Sequence, residues 1–339
     1  MNLKFAKFFG LIIALFIMAF LAWSILEFNQ NGDNSTILPT PKKEAVPISF
    51  VIGGDVMLGR AVAWQFDNDV TQAFKDLGEN YFSGVDLGLV NLEGPISADD
   101  FPANPTSDNL IFNFPPQTID ALKYLGLNAV SLGNNHSQNQ GQTGLENTRV
   151  MLKNANITSI GSQTTFNENS LVRFGNGPKK LSVLTINCLE TDTDLTSTIE
   201  AEKTAGNFVL VFPHWGSEYQ SKHSSSQSEL AHVWIDSGAD MIIGSHPHVI
   251  QDAEIYQNKP IFYSLGNLVF DQPFSVETQR GLILKGEISD QKIKIQILPT
   301  KIVKNRVSLF EGEEKEEALF RFKTDLGSDN FQGDIFTIK

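Results

Sequence analysis

Cysteine is almost missing from this chain: Cys188 stands alone among 339 residues. That excludes an internal disulfide and a cysteine-rich zinc site. Basic residues are also scarce, 26 against 39 acidic ones, for a formal net charge of -13. Non-specific nucleic-acid binding needs a basic surface, so no nucleic-acid partner is expected. An anionic substrate has to be drawn in locally, by a metal ion or an arginine, against the field of the whole protein. Internal repeats are absent, and the one long uncharged apolar run covers residues 8–26.

At about 1.5 Å of helical rise per residue that run spans roughly 28 Å, close to the thickness of a bilayer core. Lys4 and Lys7 precede it and Glu27 follows, so the positive-inside rule places the amino terminus in the cytoplasm and the rest outside. A cleaved signal peptide is the alternative. Against it, Ala19 and Ala22 are three residues apart and do not make a small-x-small cleavage site. The expectation is an uncleaved single-pass anchor over 1–28, with the domain on the extracytoplasmic side of the cell membrane. Residues 29–47 are polar and contain Pro39, Pro41 and Pro47, the composition of an extended tether.

The remainder, in a chain that is 41% hydrophobic, is enough for a full core in one large domain or two small ones. Apolar runs at 48–52, 85–92, 128–132, 181–187, 208–212 and 240–243 read as strands. Helical segments at 61–77, 117–125, 144–155 and 227–237 alternate with them. This grammar predicts an α/β fold with a largely parallel sheet. From residue 260 the strands at 261–265, 281–288 and 292–298 follow one another without helices. The last two form a hairpin across Ser289, Asp290 and Gln291, so a second, antiparallel sheet region is expected. Residues 301–339 read as a charged extension with a surface helix over 311–326. Cys188 lies in the run 181–189 and reads as a small buried hydrophobe.

Chemistry concentrates where the apolar runs stop. In the stretch 239–249 (ADMIIGSHPHV) a strand ends at Gly244 and delivers His246 and His248 onto the following loop. Ligands bind at that end of open α/β sheets. Alone, a His-x-His pair is most simply two hydrogen-bonded loop residues. Of the 6 histidines, however, four (His136, His214, His246 and His248) follow an apolar run that ends in Asn, Pro or Gly. Asp55, Glu93 and Asn135 occupy equivalent points. Asp55, Glu93, Asn135, His214, His246 and His248 supply oxygen and imidazole donors suited to Mn, Fe or Zn, one ion or two. Such ions activate water at neutral pH and clamp the oxygens of a phosphoester. His136 is placed to protonate a leaving group and Arg60 to neutralise an anionic oxygen. Glu218, Asn267 and Asp271 are either supports of these ligands or ordinary loop residues. His223 and His232 read as surface residues; Trp215 and Tyr219 line a pocket or pack.

The blocks GGDVMLGR (53–60), VNLEGPI (90–96), LGNNHSQNQG (132–141), PHWGSEYQ (213–220), IIGSHPHVIQ (242–251) and FYSLGNLVFDQ (262–272) resemble the poly-gamma-glutamate capsule biosynthesis proteins of the CapA type. In order and spacing they cover about 47–299. That family looks like a branch of the calcineurin-like metallophosphoesterases. The resemblance implies a four-layer α/β/β/α sandwich over 48–300 with a binuclear metal site. It implies Asp55 as the first metal ligand, Glu93 in the bridging acidic position, Asn135 as a ligand beside the catalytic His136, His214 as the isolated ligand, and His246 with His248 as the terminal pair. Met57 departs from the superfamily, which has histidine there, and leaves one metal position short of a donor. The expected function is that of a membrane-anchored, metal-dependent, hydrolase-like protein in synthesis or export of a surface polymer such as poly-gamma-glutamate. Its partners would be the membrane, a polyanionic polymer or small anionic substrate, and a membrane synthase complex. A general metallophosphatase or nucleotidase, and a non-catalytic polymer-binding scaffold, are the alternatives.

Overall fold

The computed structural model describes residues 46–97 and 110–338, with 13, 15–25 and 27 in the amino-terminal segment. The chain divides into two compact units, one over residues 1–44 and one from residue 45 on. In the first unit the described residues are helical. Among the described residues no helix is long and apolar enough to cross a membrane. The rest of the span expected over 8–26, and almost all of the tether over 29–47, lie outside the described residues.

The second unit is built on two sheets. The first contains β1 (Ile48–Val56), β2 (Leu87–Leu92), β3 (Ala129–Ser131) and β4 (Thr158–Ile160), all parallel. The second contains β5 (Leu171–Phe174), β6 (Leu181–Asn187), β7 (Phe208–His214), β8 (Met241–Ile243), β9 (Ala253–Tyr256) and β10 (Lys259–Phe262). The short β11 (Asn267–Val269) returns to pair with β1 in parallel. The hairpin β12 (Arg280–Ile288) and β13 (Ile293–Val303) then extends the first sheet, with β12 antiparallel to β1. β14 (Arg306–Leu309), β15 (Phe331–Gln332) and β16 (Ile335–Ile338) complete the first sheet, with β14 and β16 on β13 and β15 on β16.

Period-2 alternation explains the layering. On β1, Phe50 and Ile52 join an apolar core that also holds Leu210 and Phe212 of β7 and Ile243 of β8. The two sheets therefore face each other. Val51, Val90 and Val130 point the other way, onto Ala121, Leu122, Leu145 and Leu152 of the helices Thr118–Leu125 and Gly141–Asn154. On the second sheet Val209, Val211 and Ile242 pack against Ile199, Ala231 and Trp234 of the helices Thr196–Thr204 and Ser225–Asp236. The order is helices, sheet, sheet, helices. Cys188 packs against the outer core of the second sheet, and burial pushes its thiol well above the usual range.

Several expected elements come out differently. The helix expected over 61–77 is Arg60–Gln65 followed by a short 3-10 turn, Val70–Phe74. Between them Asp67 and Asn68 adopt left-handed backbone, with φ of 50° and 66°, which no helix accommodates. Both sheets are mixed rather than largely parallel. β12 and β13 form no separate sheet, because Leu282 and Leu284 feed the inter-sheet core while Ile283 feeds the outer one, and a strand buried on both faces has to lie within a sheet. β10 instead runs parallel to β8 in the second sheet. The boundary expected at residue 300 falls inside β13. The helix expected on the surface over 311–326 is Gly312–Asp325, and it buries Leu319 and Phe322 between the sheets.

Gly54 shows how closely the strands approach at the site end. A Cβ there would meet the Gly266 carbonyl oxygen at 1.9 Å, with the Asp55 N–H to Gly266 carbonyl bond (3.0 Å) next to it. Gly54→Ala forces backbone apart, and is expected to lower stability by about 1–3 kcal/mol or more. The midpoint of urea unfolding checks this; an unchanged midpoint would contradict the close approach.

Candidate metal centre

Strand register brings the site together before any side chain is considered. Asp55 of β1 lies opposite Asn91 of β2 and Asn267 of β11. In the other sheet Asn187 of β6 lies opposite His214, the last residue of β7, and His214 bridges to Ser245 just past β8. The carboxyl ends of two sheets thus meet in one place, and loops carry Glu93, Asn135, His136, His246 and His248 into it.

The innermost group is Asp55, Glu93 and His248, whose donor atoms all lie within 4.8 Å of one another. His248 Nδ1 is 3.4 Å from Asp55 Oδ2, and its Nε2 is 3.4 Å from Glu93 Oε1. A second group, Glu218, His246 and His248, meets the same limit. His214 and Asn135 belong to neither group but point at each other, with His214 Nε2 2.9 Å from Asn135 Oδ1. The His214 and His246 rings are 4.6 Å apart. His136 stands at the rim, stacked on Phe112 at 4.0 Å, with Nδ1 2.9 Å from Asn139 Oδ1 and Nε2 3.9 Å from Glu93 Oε1. Arg60 lies over the Phe112 ring at 4.7 Å, and its guanidinium is paired with Asp271. Its charge is therefore shared with a carboxylate rather than held ready for a substrate oxygen alone.

Met57 is fully buried in the helical-side core, and its sulfur accepts the Gly59 N–H at 3.2 Å. It fills space beneath the site. Sequence reasoning undervalued the asparagines. Asn91 Nδ2 donates to Asp55 Oδ1 (2.8 Å) and Glu93 Oε2 (3.2 Å) and lies 3.3 Å from His214 Nδ1. Asn134 in turn donates to Asn91 Oδ1 at 3.0 Å and to the Leu92 carbonyl at 2.9 Å. The available signal was on β2: Leu87 and Leu89 face the other sheet, so Asn91 is a polar residue where period 2 calls for an apolar one. Asn267 holds His248, with its Oδ1 3.1 Å from the ring Nδ1, and Asp271 holds Arg60, so both act as supports. Trp215 packs in the core, stacked on Trp234 and Tyr263, whereas Tyr219 faces His248 across 6.2 Å. His223 and His232 are not free surface residues: they are half-buried, bound to Asp252 and Glu254 and stacked on Tyr263 and Tyr256.

Two features fit a cation. Glu93 Oε1 and His246 Nδ1 are buried and have no hydrogen-bond partner, the kind of orphaned atom that a native interior seldom tolerates without an ion or water. The His-Pro-His loop is also held in a costly shape, with left-handed φ of 97° at His246 and 57° at His248. Such conformations cost about 1–3 kcal/mol each and persist where the surroundings dictate them. Burial, and after it the neighbouring imidazoles, lower His214 well below its usual range. Burial and His248 bring His246 down to about 4, so both rings offer a lone pair at neutral pH. Burial would lower His248 as well, but the carboxylates of Glu93 and Asp55 outweigh it and raise the ring to about 9. Burial also raises Glu93 well above the ordinary carboxylate range. Both shifts keep a proton between His248 and Glu93, where a cation would replace it.

The sequence profile described as "Bacterial capsule synthesis protein PGA_cap" matches residues 49–192 and 174–272. The chain belongs to that bacterial capsule synthesis protein family. It is 28% identical over 269 residues to the capsule biosynthesis protein CapA of Bacillus anthracis, covering 73% of this chain and 66% of that protein, just under two thirds of its length. To the PGA biosynthesis protein CapA of Bacillus subtilis it is 26% identical over 271 residues, 72% of this chain and 68% of that one. Among solved structures, a single mutant of Vps29 from Entamoeba histolytica aligns over 57% of this chain and 86% of its own, at 14% identity. Its TM-score is 0.28.

The retained proton has a measurable consequence. In the metal-free protein His248, raised from 6.5 to about 9, contributes stability that is complete below pH 6.5 and is lost as pH rises through about 9. A cation competes with that proton, so metal affinity should increase with pH over the same interval, by up to about tenfold per unit for one proton displaced. Calorimetric titration of the full-length protein with Mn2+ between pH 6.5 and 8.5 checks the sign; a flat profile would contradict it.

Proposed function

We propose that this protein is a membrane-anchored, metal-dependent, hydrolase-like enzyme that acts outside the cytoplasmic membrane in synthesis or export of an anionic surface polymer. One observation carries the chemistry: Asp55, Glu93 and His248 converge beside His214, His246 and Asn135 where the ends of two sheets meet, with His136 3.9 Å from Glu93. The order helices, sheet, sheet, helices supports a four-layer sandwich of the metallophosphoesterase type. The names of the Bacillus relatives, capsule biosynthesis and PGA biosynthesis protein, support the polymer. The uncharged run over 8–26, and the exposed Phe16, Phe20 and Trp23 within it, support the anchor.

The donor set of imidazoles, carboxylates and an amide fits Mn, Fe or Zn. When bound, a divalent ion there supplies Lewis acidity to an anionic oxygen and to water. The chain's own residues do the rest. Asn91 fixes the Asp55 and Glu93 carboxylates, so the negative charge is set in place before any ligand arrives. Burial lowers the His136 ring, and Asn139 steadies it, so at neutral pH it is placed to accept or pass a proton at Nε2. Phe112 and Phe270 wall off that side and limit water around Arg60 and His136. With a net charge of -13 the rest of the surface repels anions, so this centre is where an anionic chain is held.

A non-catalytic scaffold would use the same fold without Asp55. In cells where the gene has been replaced by an Asp55→Asn version, the anionic polymer at the surface is expected to fall to the level of a deletion, with the protein present in normal amount. Polymer at the wild-type level in those cells, and loss only on deletion, would overturn the enzymatic reading in favour of the scaffold.

A further inference from the structure

Glu218 carries the strongest information that the function above leaves unused. It lies four residues past the end of β7, is exposed, and nevertheless belongs to a group with His246 and His248 whose donor atoms all lie within 4.8 Å. A chance approach of a flexible side chain would not need a built loop, but this loop is built. Trp215 N–H donates to the Ser245 carbonyl (3.1 Å), Ser245 N–H to the Pro213 carbonyl (2.9 Å), and Tyr219 N–H to the Pro247 carbonyl (2.8 Å). The segment 213–219 is thus stitched on both sides of Glu218 to the loop that carries His246 and His248. Gly216 and Tyr219 take left-handed backbone, with φ of 84° and 62°, to make the turn. Gly216 is required there, because a Cβ would meet the Gln227 side-chain amide at 2.7 Å.

A neutral imidazole has one lone pair and serves one ion. With His248 set between Asp55 and Glu93, the donors left on the other side are Glu218 and His246, whose Nδ1 is buried without a partner. The His214 ring is 4.6 Å from that of His246. The geometry points to Glu218 as a metal ligand: with His246 it holds a second divalent cation beside the one at Asp55, Glu93 and His248. The carboxylate sets a hard oxygen donor beside the His246 imidazole, a combination that suits Mn or Fe better than softer ions.

The inference rests on the metal-binding reading of the site, and the two are separable by experiment. Full-length wild type, Glu218→Gln, Glu218→His and His248→Ala are titrated with Mn2+ by calorimetry, after thermal unfolding of the metal-free proteins has confirmed that each is folded. Wild type is expected to bind two ions. Glu218→Gln should keep one with little change and lose the other by at least about tenfold in affinity, the scale known even for outer metal contacts. Glu218→His, which lacks the charge but keeps a donor, should restore most of that loss. His248→Ala should weaken the ion that Glu218→Gln leaves intact. Wild-type stoichiometry and affinity in Glu218→Gln overturn the inference while the metal reading stands. So does a Glu218→His protein as weak as Glu218→Gln, since Glu218 would then act only through its charge. Absence of Mn2+ binding by wild type overturns both.

Discussion

Everything at the site depends on holding two carboxylates, Asp55 and Glu93, out of water. Both are fully buried. An uncompensated buried charge is costly, and breaking a buried pair by removing one partner costs about 3–5 kcal/mol. Three devices offset that cost. His248 stands between the carboxylates, Asn91 donates to both, and the His246 N–H reaches Asp55 Oδ2 at 3.2 Å. None of the three satisfies Glu93 Oε1 with a hydrogen bond, so the arrangement is incomplete without a cation or a proton. The fold stores an affinity for positive charge at this point.

The architecture makes such a point possible. Glycines at 54 and 266 let β1 and the segment before β11 approach backbone to backbone, which sets Asp55 beside Asn267. In the second sheet the bridge from His214 to Ser245 does the same for the imidazoles. The inter-sheet core then holds the two ends in register, with Phe50 and Ile52 on one side and Leu210 and Phe212 on the other. The tail helix closes the structure elsewhere: Phe322 reaches Phe262 between the sheets, so the charged carboxyl-terminal segment belongs to the core through one apolar stripe.

Much of this was legible in the sequence, for a local reason. A buried strand that ends abruptly in Gly, Asn or Pro and is followed by Asp, Glu or His is visible without knowing any partner strand. Asp55, Glu93, Asn135, His136, His214, His246 and His248 all stand at or beside such points in the sequence, and the structure brings them to one place. What failed was non-local or hidden by composition. The pairing of β12 with β1 depends on both faces of β12 being buried, which its own residues do not reveal. The break after Gln65 lay in plain view as Asp67, Asn68 and Asp69, a turn-forming cluster overridden by the apolar period around it. The approach of Glu218 to His246 and His248 is set by hydrogen bonds of its loop to residues some thirty positions away, which no local pattern displays. Met57 stands where the superfamily has a histidine, and its burial and the Gly59 N–H on its sulfur place it in the core beneath the site.

The most direct test of the account is the position of bound metal. Crystals of the full-length protein grown with Mn2+, and measured at wavelengths on either side of the manganese absorption edge, should show two anomalous peaks at the ends of β1 and β7. One is expected among Asp55, Glu93 and His248 and the other beside His246 and Glu218. Anomalous density confined to surface carboxylates, with the Asp55 and Glu93 side chains unchanged and no ion between them and His248, would contradict it.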